Sequence, residues 1–237
     1  MSTFGDLLRA MPLSVSATRS AEKNDVLPFR REAEIEETVW PVASVRDEQI
    51  YALAQQLFFR QEMGVVRNVG FSPIEASAQA APMCLDLAKA LASQGKYDVG
   101  LIDASSDLIP LHQQLRIPVS VHSDSTWMIS SRLWLVSRQS WWREPGLQSM
   151  TDQDMERLRD FMRGFDFSVV YCSAVSWLTP RIAQSFDGLV LILTANKTRR
   201  LVAAQIKEQL AKARIPLLGT VLAERRLPVP EGLYRRL

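Results

Sequence analysis

Short apolar runs and longer stretches of helical period alternate along most of this chain. Runs at Val65–Phe71, Tyr97–Asp103, Leu133–Ser137, Phe167–Cys172, Leu189–Thr194 and Leu217–Leu222 are rich in Val, Leu and Ile and nearly continuous, the pattern of strands buried on both faces. Between them the apolar positions recur at three- and four-residue intervals. Ile50, Leu53, Ala54, Leu57 and Phe58 predict a helix over Val45–Met63; Met83, Leu85, Leu87, Ala88, Leu91 and Ala92 predict one over Pro82–Gln94. Two more are expected at Asp152–Arg163 and Thr198–Ala213. Repeated strand–helix units with buried strands predict an α/β fold, a parallel sheet flanked by helices on both faces. No internal repeat or low-complexity tract interrupts the pattern.

Residues 1–45 do not share it. Phe4, Leu7, Leu8 and Met11 make a brief amphipathic turn stopped by Pro12; a Ser/Thr-rich stretch and a charged run from Arg30 to Glu37 follow. The division expected is an extended N-terminal arm over 1–45 and a folded domain over 46–237. The four apolar residues either lie on the domain or form a docking peptide for a partner. With few basic residues beside them, they make a poor membrane anchor.

Composition narrows the chemistry mainly by exclusion. The chain has 237 residues, 47% hydrophobic and 23% charged, which is ordinary for a globular domain. A net charge of +2 with no dense basic stripe gives no reason to expect a nucleic-acid partner. Cys84 and Cys172 lie in apolar surroundings without C-x-x-C spacing, and His112 and His122 are far from both, so buried free thiols are expected and no metal site is. No apolar run approaches a membrane span and no signal peptide opens the chain, so a cytoplasmic location is expected.

The stretch from Val69 to Ser106 carries the most information. Strand, loop, helix and strand is the setting of a phosphate-binding loop. Such a loop needs glycines, so that backbone N–H groups can converge, and a lysine to reach the terminal phosphates. This stretch has no glycine from Phe71 to Gln94 and no lysine from Phe71 to Ala88.

Across positions 48–237 the chain resembles the kinase module of bacterial tyrosine autokinases, which act in capsule and exopolysaccharide export and belong to the deviant-Walker branch with the MinD and ParA ATPases. The resemblance lies in Asp86–Lys96 with Val99–Asp103, in Pro110–Pro118, in Phe165–Val170, in Ser185–Leu193 with Ala195–Arg200, in Gly219–Leu222 and in the ending Pro230–Leu237. It implies a P-loop NTPase-like fold. Aligned outward from the helix, the family's P-loop lysine falls on Ala80 and its Ser/Thr pair on Ala81 and Pro82. Asp103 matches an acid of the second motif, but the next expected Asp is Ser105; the Walker B Asp falls on Tyr171 and the following Thr-Pro-Pro on Cys172-Ser173-Ala174. The ring-assembly motif Glu-x-x-Arg-x-x-Arg reads Glu48, Tyr51, Ala54, and the tyrosine-rich tail is reduced to Tyr234.

Phosphoryl transfer depends on positioning and electrostatics from loop backbone, lysine and magnesium. One such electrostatic donor is worth ~3–4 kcal/mol, so these departures imply a chain that neither binds nucleotide usefully nor uses a cofactor: a pseudo-kinase rather than an enzyme. Asp103 is read either as a lone metal partner or as an acid that ends a strand and caps a turn. The partner implied is a membrane polysaccharide co-polymerase of the chain-length-determinant type, which would hold the protein at the inner membrane; a homo-oligomer smaller than the family's ring is also compatible. The rivals are an ATPase or tyrosine kinase with unorthodox ligands, and a MinD/ParA-like positioning protein.

The segment Ser123–Gly146 holds four of the six tryptophans, Trp127, Trp134, Trp141 and Trp142, interleaved with Arg132, Arg138 and Arg143. Such residues anchor protein interfaces, stack on bases or sugars, or fill a core. Trp141, Trp142 and Arg143, with Phe4, Leu7, Leu8 and Met11, are the candidate partner-binding residues.

Overall fold

Central strands that are apolar on both faces need cover on both sides, and the chain supplies it with helices above and below one sheet. The computed structural model describes residues 45–59, 65–119, 126–142, 150–176 and 179–224. In chain order the elements are α1 (Val45–Phe58), β1 (Asn68–Pro73), α2 (Ala80–Ala92), β2 (Val99–Ala104), α3 (Leu111–Gln114), β3 (Thr126–Ser130), β4 (Leu133–Val136), α4 (Arg138–Trp141), α5 (Asp152–Arg163), β5 (Phe167–Cys172), α6 (Thr179–Ala183), β6 (Gly188–Thr194), α7 (Arg200–Lys212) and β7 (Leu217–Ala223). Among the described residues the sheet has seven strands in the order β3-β4-β2-β5-β1-β6-β7, parallel throughout except for the antiparallel β3–β4 pair.

Alternation along the strands divides the core in two. On one face Val69 and Phe71 of β1, Leu101 of β2, Val169 and Tyr171 of β5, and Val190 and Ile192 of β6 pack against Ala54 and Phe58 of α1 and Met83, Leu87 and Leu91 of α2. On the other, Ile102, Val136, Val170 and Leu191 meet Trp141, Met155, Leu158, Met162 and Leu210 from α4, α5 and α7. α5 is the best-terminated helix: Thr151 accepts from the Asp154 N–H at 3.2 Å, and the Asp154 carboxylate accepts from the Thr151 N–H at 2.8 Å, a reciprocal cap. α1 is tied to α2 at the surface by Arg46 and Asp86 at 2.7 Å and by Tyr51 Oη and Ser93 Oγ at 3.0 Å.

Six of the strands and four of the helices lie where the hydrophobic pattern places them, with bounds shifted by a few residues. β3 escapes that pattern. It pairs back on β4 through Ser131 and Arg132, with Arg132 at φ 61°, and this turn lacks the Asn-Gly or Asp-Gly signature of a two-residue hairpin. The short helices α3, α4 and α6 are also absent from it, being too brief to show a period. The arm 1–44, Arg143 and the tail from residue 225 lie outside the described residues, so Phe4, Leu7, Leu8, Met11 and Tyr234 receive no structural account.

Two glycines let phenylalanine rings lie flat on the sheet. A Cβ on Gly70 of β1 would sit 2.4 Å from Phe186 Cδ2 and 3.0 Å from Leu189 Cδ1; one on Gly100 of β2 would sit 2.5 Å from Phe165 Cδ2. Gly70→Ala is therefore expected to destabilise the domain by about 1–3 kcal/mol through overpacking. For a domain of this size that lowers the thermal midpoint by about 2–4 °C per kcal/mol, readable in a circular-dichroism melt; an unchanged midpoint would count against the tight Phe186 contact.

Candidate functional site

In a parallel α/β sheet, ligands are bound beyond the carboxyl ends of the strands. Here that rim is made by the loops after β1, β2, β5, β6 and β7. The β1–α2 loop runs from Ile74, whose N–H donates to Ile192 O at 2.9 Å, to Gln79, the N-cap of α2, which has no side-chain cap. Its polar groups bond to neighbouring loops. Ser77 Oγ donates to Glu224 Oε1 at 3.1 Å, Thr198 Oγ1 donates to Glu75 Oε2 at 3.3 Å, and Lys197 Nζ donates to Ala76 O at 3.3 Å. The rim beside this loop thus carries the carboxylates of Glu75 and Glu224, with Lys197 held on a carbonyl.

Ala80 and Ala81 open α2 and are buried in the core beneath it. Pro82 is half-buried and occupies the third helical position rather than the first. No intrahelical bond is lost there, because the first such bond runs from Met83 N to Gln79 O at 3.0 Å.

Asp103, on β2, is only 1% exposed. Its Oδ1 accepts from Ser105 N at 2.9 Å and Ser105 Oγ at 2.6 Å, and its Oδ2 accepts from Leu111 N at 2.9 Å. Of its two readings, the strand-end cap fits the geometry: both oxygens are committed to shaping the turn and starting α3. Burial pushes its carboxyl up, while the bonds from Ser105 and Leu111 and the nearby Arg138 charge pull it down. Ser105, expected as a lost acid, is buried and serves as the donor that holds Asp103.

Tyr171, one residue before the end of β5, lies beside Asp103, its Cα partner across the β2–β5 ladder. The ring is 4% exposed, and its hydroxyl donates to Asp107 Oδ2 at 3.0 Å. Burial, and then the Asp107 carboxylate, push that hydroxyl far above its usual range. Asp107 is held further by Gln114 Nε2 at 3.3 Å, and its carbonyl accepts from Arg138 Nη1. Ser173 completes the rim: its carbonyl accepts from Ser72 Oγ at 2.7 Å and its hydroxyl from Ser106 N at 2.6 Å. The structure thus brings Asp103, Ser105 and Tyr171 together across two neighbouring strands. Asp107 and Arg138 were not singled out for this place, because nothing local in the sequence marks partners 31 and 64 residues away.

Trp141 and Trp142 require a correction. They are 0% and 3% exposed, stacked at 5.9 Å, and Trp141 Nε1 donates to Asp103 O at 3.0 Å. They cover the second face of the sheet and offer nothing to a partner. In this segment Arg138 reaches the rim, donating to Ser105 O at 3.3 Å, and Ser137 caps α4, accepting from the Gln139 N–H. Among the described residues no group of three or more His, Cys, Asp or Glu could hold a metal ion, and no helix is long and apolar enough to cross a membrane.

No family model and no curated protein matches the chain. Solved structures do match by fold. The VpsO kinase domain aligns with a TM-score of 0.60 at 17% identity, over 77% of this chain and 97% of that one. The kinase domain of the Escherichia coli tyrosine kinase ETK aligns at 0.57 and 12% identity, over 78% and 79%. A ParA family ATPase from Chlorobium tepidum aligns at 0.55 and 14% identity, over 67% and 74%. The fold is that of P-loop NTPase-like domains, and bacterial tyrosine kinase domains are among its structural neighbours.

Two outcomes follow from this geometry. Tyr171→Asp would set a third carboxylate against Asp103 and Asp107 with no new cation, and is expected to cost about 3 kcal/mol or more in denaturant unfolding; unchanged or raised stability would contradict it. Burial raises the Cys172 thiol to about 12 and the Cys84 thiol well above its ordinary value. Since the thiolate is the reactive species, an aromatic disulfide reagent at about pH 8 should label neither until denaturant is added. Fast labelling of the native protein would show either thiol to be accessible.

Proposed function

We propose that this chain is a catalytically inactive tyrosine-autokinase-like protein, which binds a membrane polysaccharide co-polymerase and supports synthesis and export of an exopolysaccharide, capsule or holdfast-type adhesin. One observation carries the inactivity: the acid that matches the family's second motif, Asp103, has both oxygens bonded to Ser105 and Leu111 in a buried site. An acid so engaged is poorly available to magnesium. The positions aligned with the P-loop lysine and its hydroxyl neighbours are Ala80, Ala81 and Pro82, and the position aligned with the Walker B acid is Tyr171, whose hydroxyl is bound to Asp107. Glu75 and Glu224 add negative charge where phosphates would approach.

The family's ring contact has no match in α1. Ala54, aligned with the second arginine, is wholly buried, and Tyr51 bonds to Ser93. This supports an assembly on a partner rather than the family's ring. With Trp141 and Trp142 in the core, Phe4, Leu7, Leu8, Met11 and Arg143 remain as the partner-binding candidates, with the protein held in the cytoplasm at the inner membrane through that partner.

The likeness to a ParA ATPase favours a second reading, a positioning protein that dimerises on nucleotide. Calorimetric titration with millimolar MgATP decides first: heat no greater than dilution is expected, and micromolar binding would overturn the inactive reading. Truncating Phe4, Leu7, Leu8 and Met11 to alanine should then abolish co-purification with the co-polymerase's cytoplasmic segments while leaving the melt unchanged, since hot-spot truncations cost ~2 kcal/mol or more each. Retained co-purification would remove the arm from the interface.

A further inference from the structure

β7 has β6 on one side and, among the described residues, no strand on the other. Ala195 N donates to Ala223 O at 2.9 Å, so the alternation of a parallel ladder turns the main-chain groups of Gly219, Val221 and Ala223 toward β6. Those of Thr220 and Leu222 point outward. Natural sheet edges are blunted with charge or proline, yet from Ile215 to Ala223 there is no charged residue, and Pro216 precedes the strand. A register shift opposite Leu189 and Val190 bulges only its entry end, leaving Gly219–Ala223 regular. Beside this edge Leu222 is 54% exposed, and Leu201, at the start of α7, is 70% exposed. α7 begins at the end of the sheet where β7 finishes, so both leucines lie toward one end of the edge.

We propose that β7 pairs antiparallel with β7 of a second copy, about a two-fold axis through Thr220, joining two sheets into one. The strand is complementary to itself in that register. Thr220 meets Thr220 across the axis. Gly219 meets Val221, and the space where a Gly219 Cβ would stand is open, with no described residue within 4 Å, so the valine of one copy enters a notch on the other twice over. The outward N–H and C=O groups of Thr220 face their own symmetry mates, completing bonds that β6 does not use. A strand pair alone falls short of the ~1,600 Å² of a standard interface. The outer side of α7, which buries only Leu210 fully, supplies the remaining contact through Leu201 and its neighbours. This pairing needs neither nucleotide nor co-polymerase.

Sedimentation of the full chain across a micromolar concentration series tests it. A dimer is expected, unaltered by MgATP. Thr220→Lys sets two like charges face to face and should raise the dissociation constant by more than about tenfold. Thr220→Pro removes an N–H that β6 does not use, is tolerated at an edge, and should do the same. Both variants should keep the wild-type circular-dichroism spectrum. Thr220→Cys should cross-link on oxidation, because paired Cα atoms at about 5.5 Å lie within disulfide range. A monomer at every concentration overturns the proposal, as does a dimer that survives both the lysine and proline variants. A dimer lost in them but never cross-linked through Thr220→Cys overturns the axis. These readouts are separate from the nucleotide and partner tests, so either reading can fail while the other stands.

Discussion

A carboxylate carried into an apolar interior must recover through hydrogen bonds what it loses in hydration. Asp103 does so with three donors, two from Ser105 and one from Leu111, while its own carbonyl receives the Trp141 indole. β2, the turn after it, α3 and α4 therefore meet at one residue. From that point the rim is built outward: Arg138, in α4, grips the carbonyls of Ser105 and Asp107, and Asp107 in turn receives the Tyr171 hydroxyl from β5. Loss of the Asp103 acceptors would leave buried N–H groups unpaired on two sides, a penalty of about 1–3 kcal/mol for each such group.

The β1–α2 loop reaches a comparable state by simpler means. Without glycine it has no converging backbone donors to offer an anion, and its serine, glutamate and backbone groups pair with Lys197, Thr198 and Glu224 from the loops after β6 and β7. Small buried residues at Ala80 and Ala81 let the helix start sit close over the sheet. These bonds tie the loop to its neighbours across the rim, and the proposed inactive reading draws on them.

The sheet and its long helices were legible in the sequence because continuous apolar strands and a 3.6-residue period are strong local signals; Asp152–Arg163 and Phe167–Cys172 carry both and match residue for residue. β3 was not legible, since Ser131-Arg132 forms its turn without the usual turn residues and relies on Arg132 adopting φ 61°. The capping role of Asp103 was one of two readings from sequence, and the contacts separate them. Trp141 and Trp142 misled because aromatic and arginine enrichment looks alike at an interface and under a rim, and only burial tells the two apart. Asp107 and Arg138 are long-range partners that periodicity does not reveal.

The strand order also governs how the polypeptide reaches this state. β1 and β2 are consecutive in the chain yet never touch along their edges, because β5 lies between them. Until Phe167–Cys172 leaves the ribosome, the two earliest strands have no central neighbour, and each carries unpaired backbone along an apolar surface. Loops of about a hundred residues must close before those contacts repay their entropy. The β3–β4 hairpin, by contrast, closes locally. Folding of this domain is thus set by a late insertion into its middle, and the nascent chain is most exposed to aggregation just before that insertion occurs.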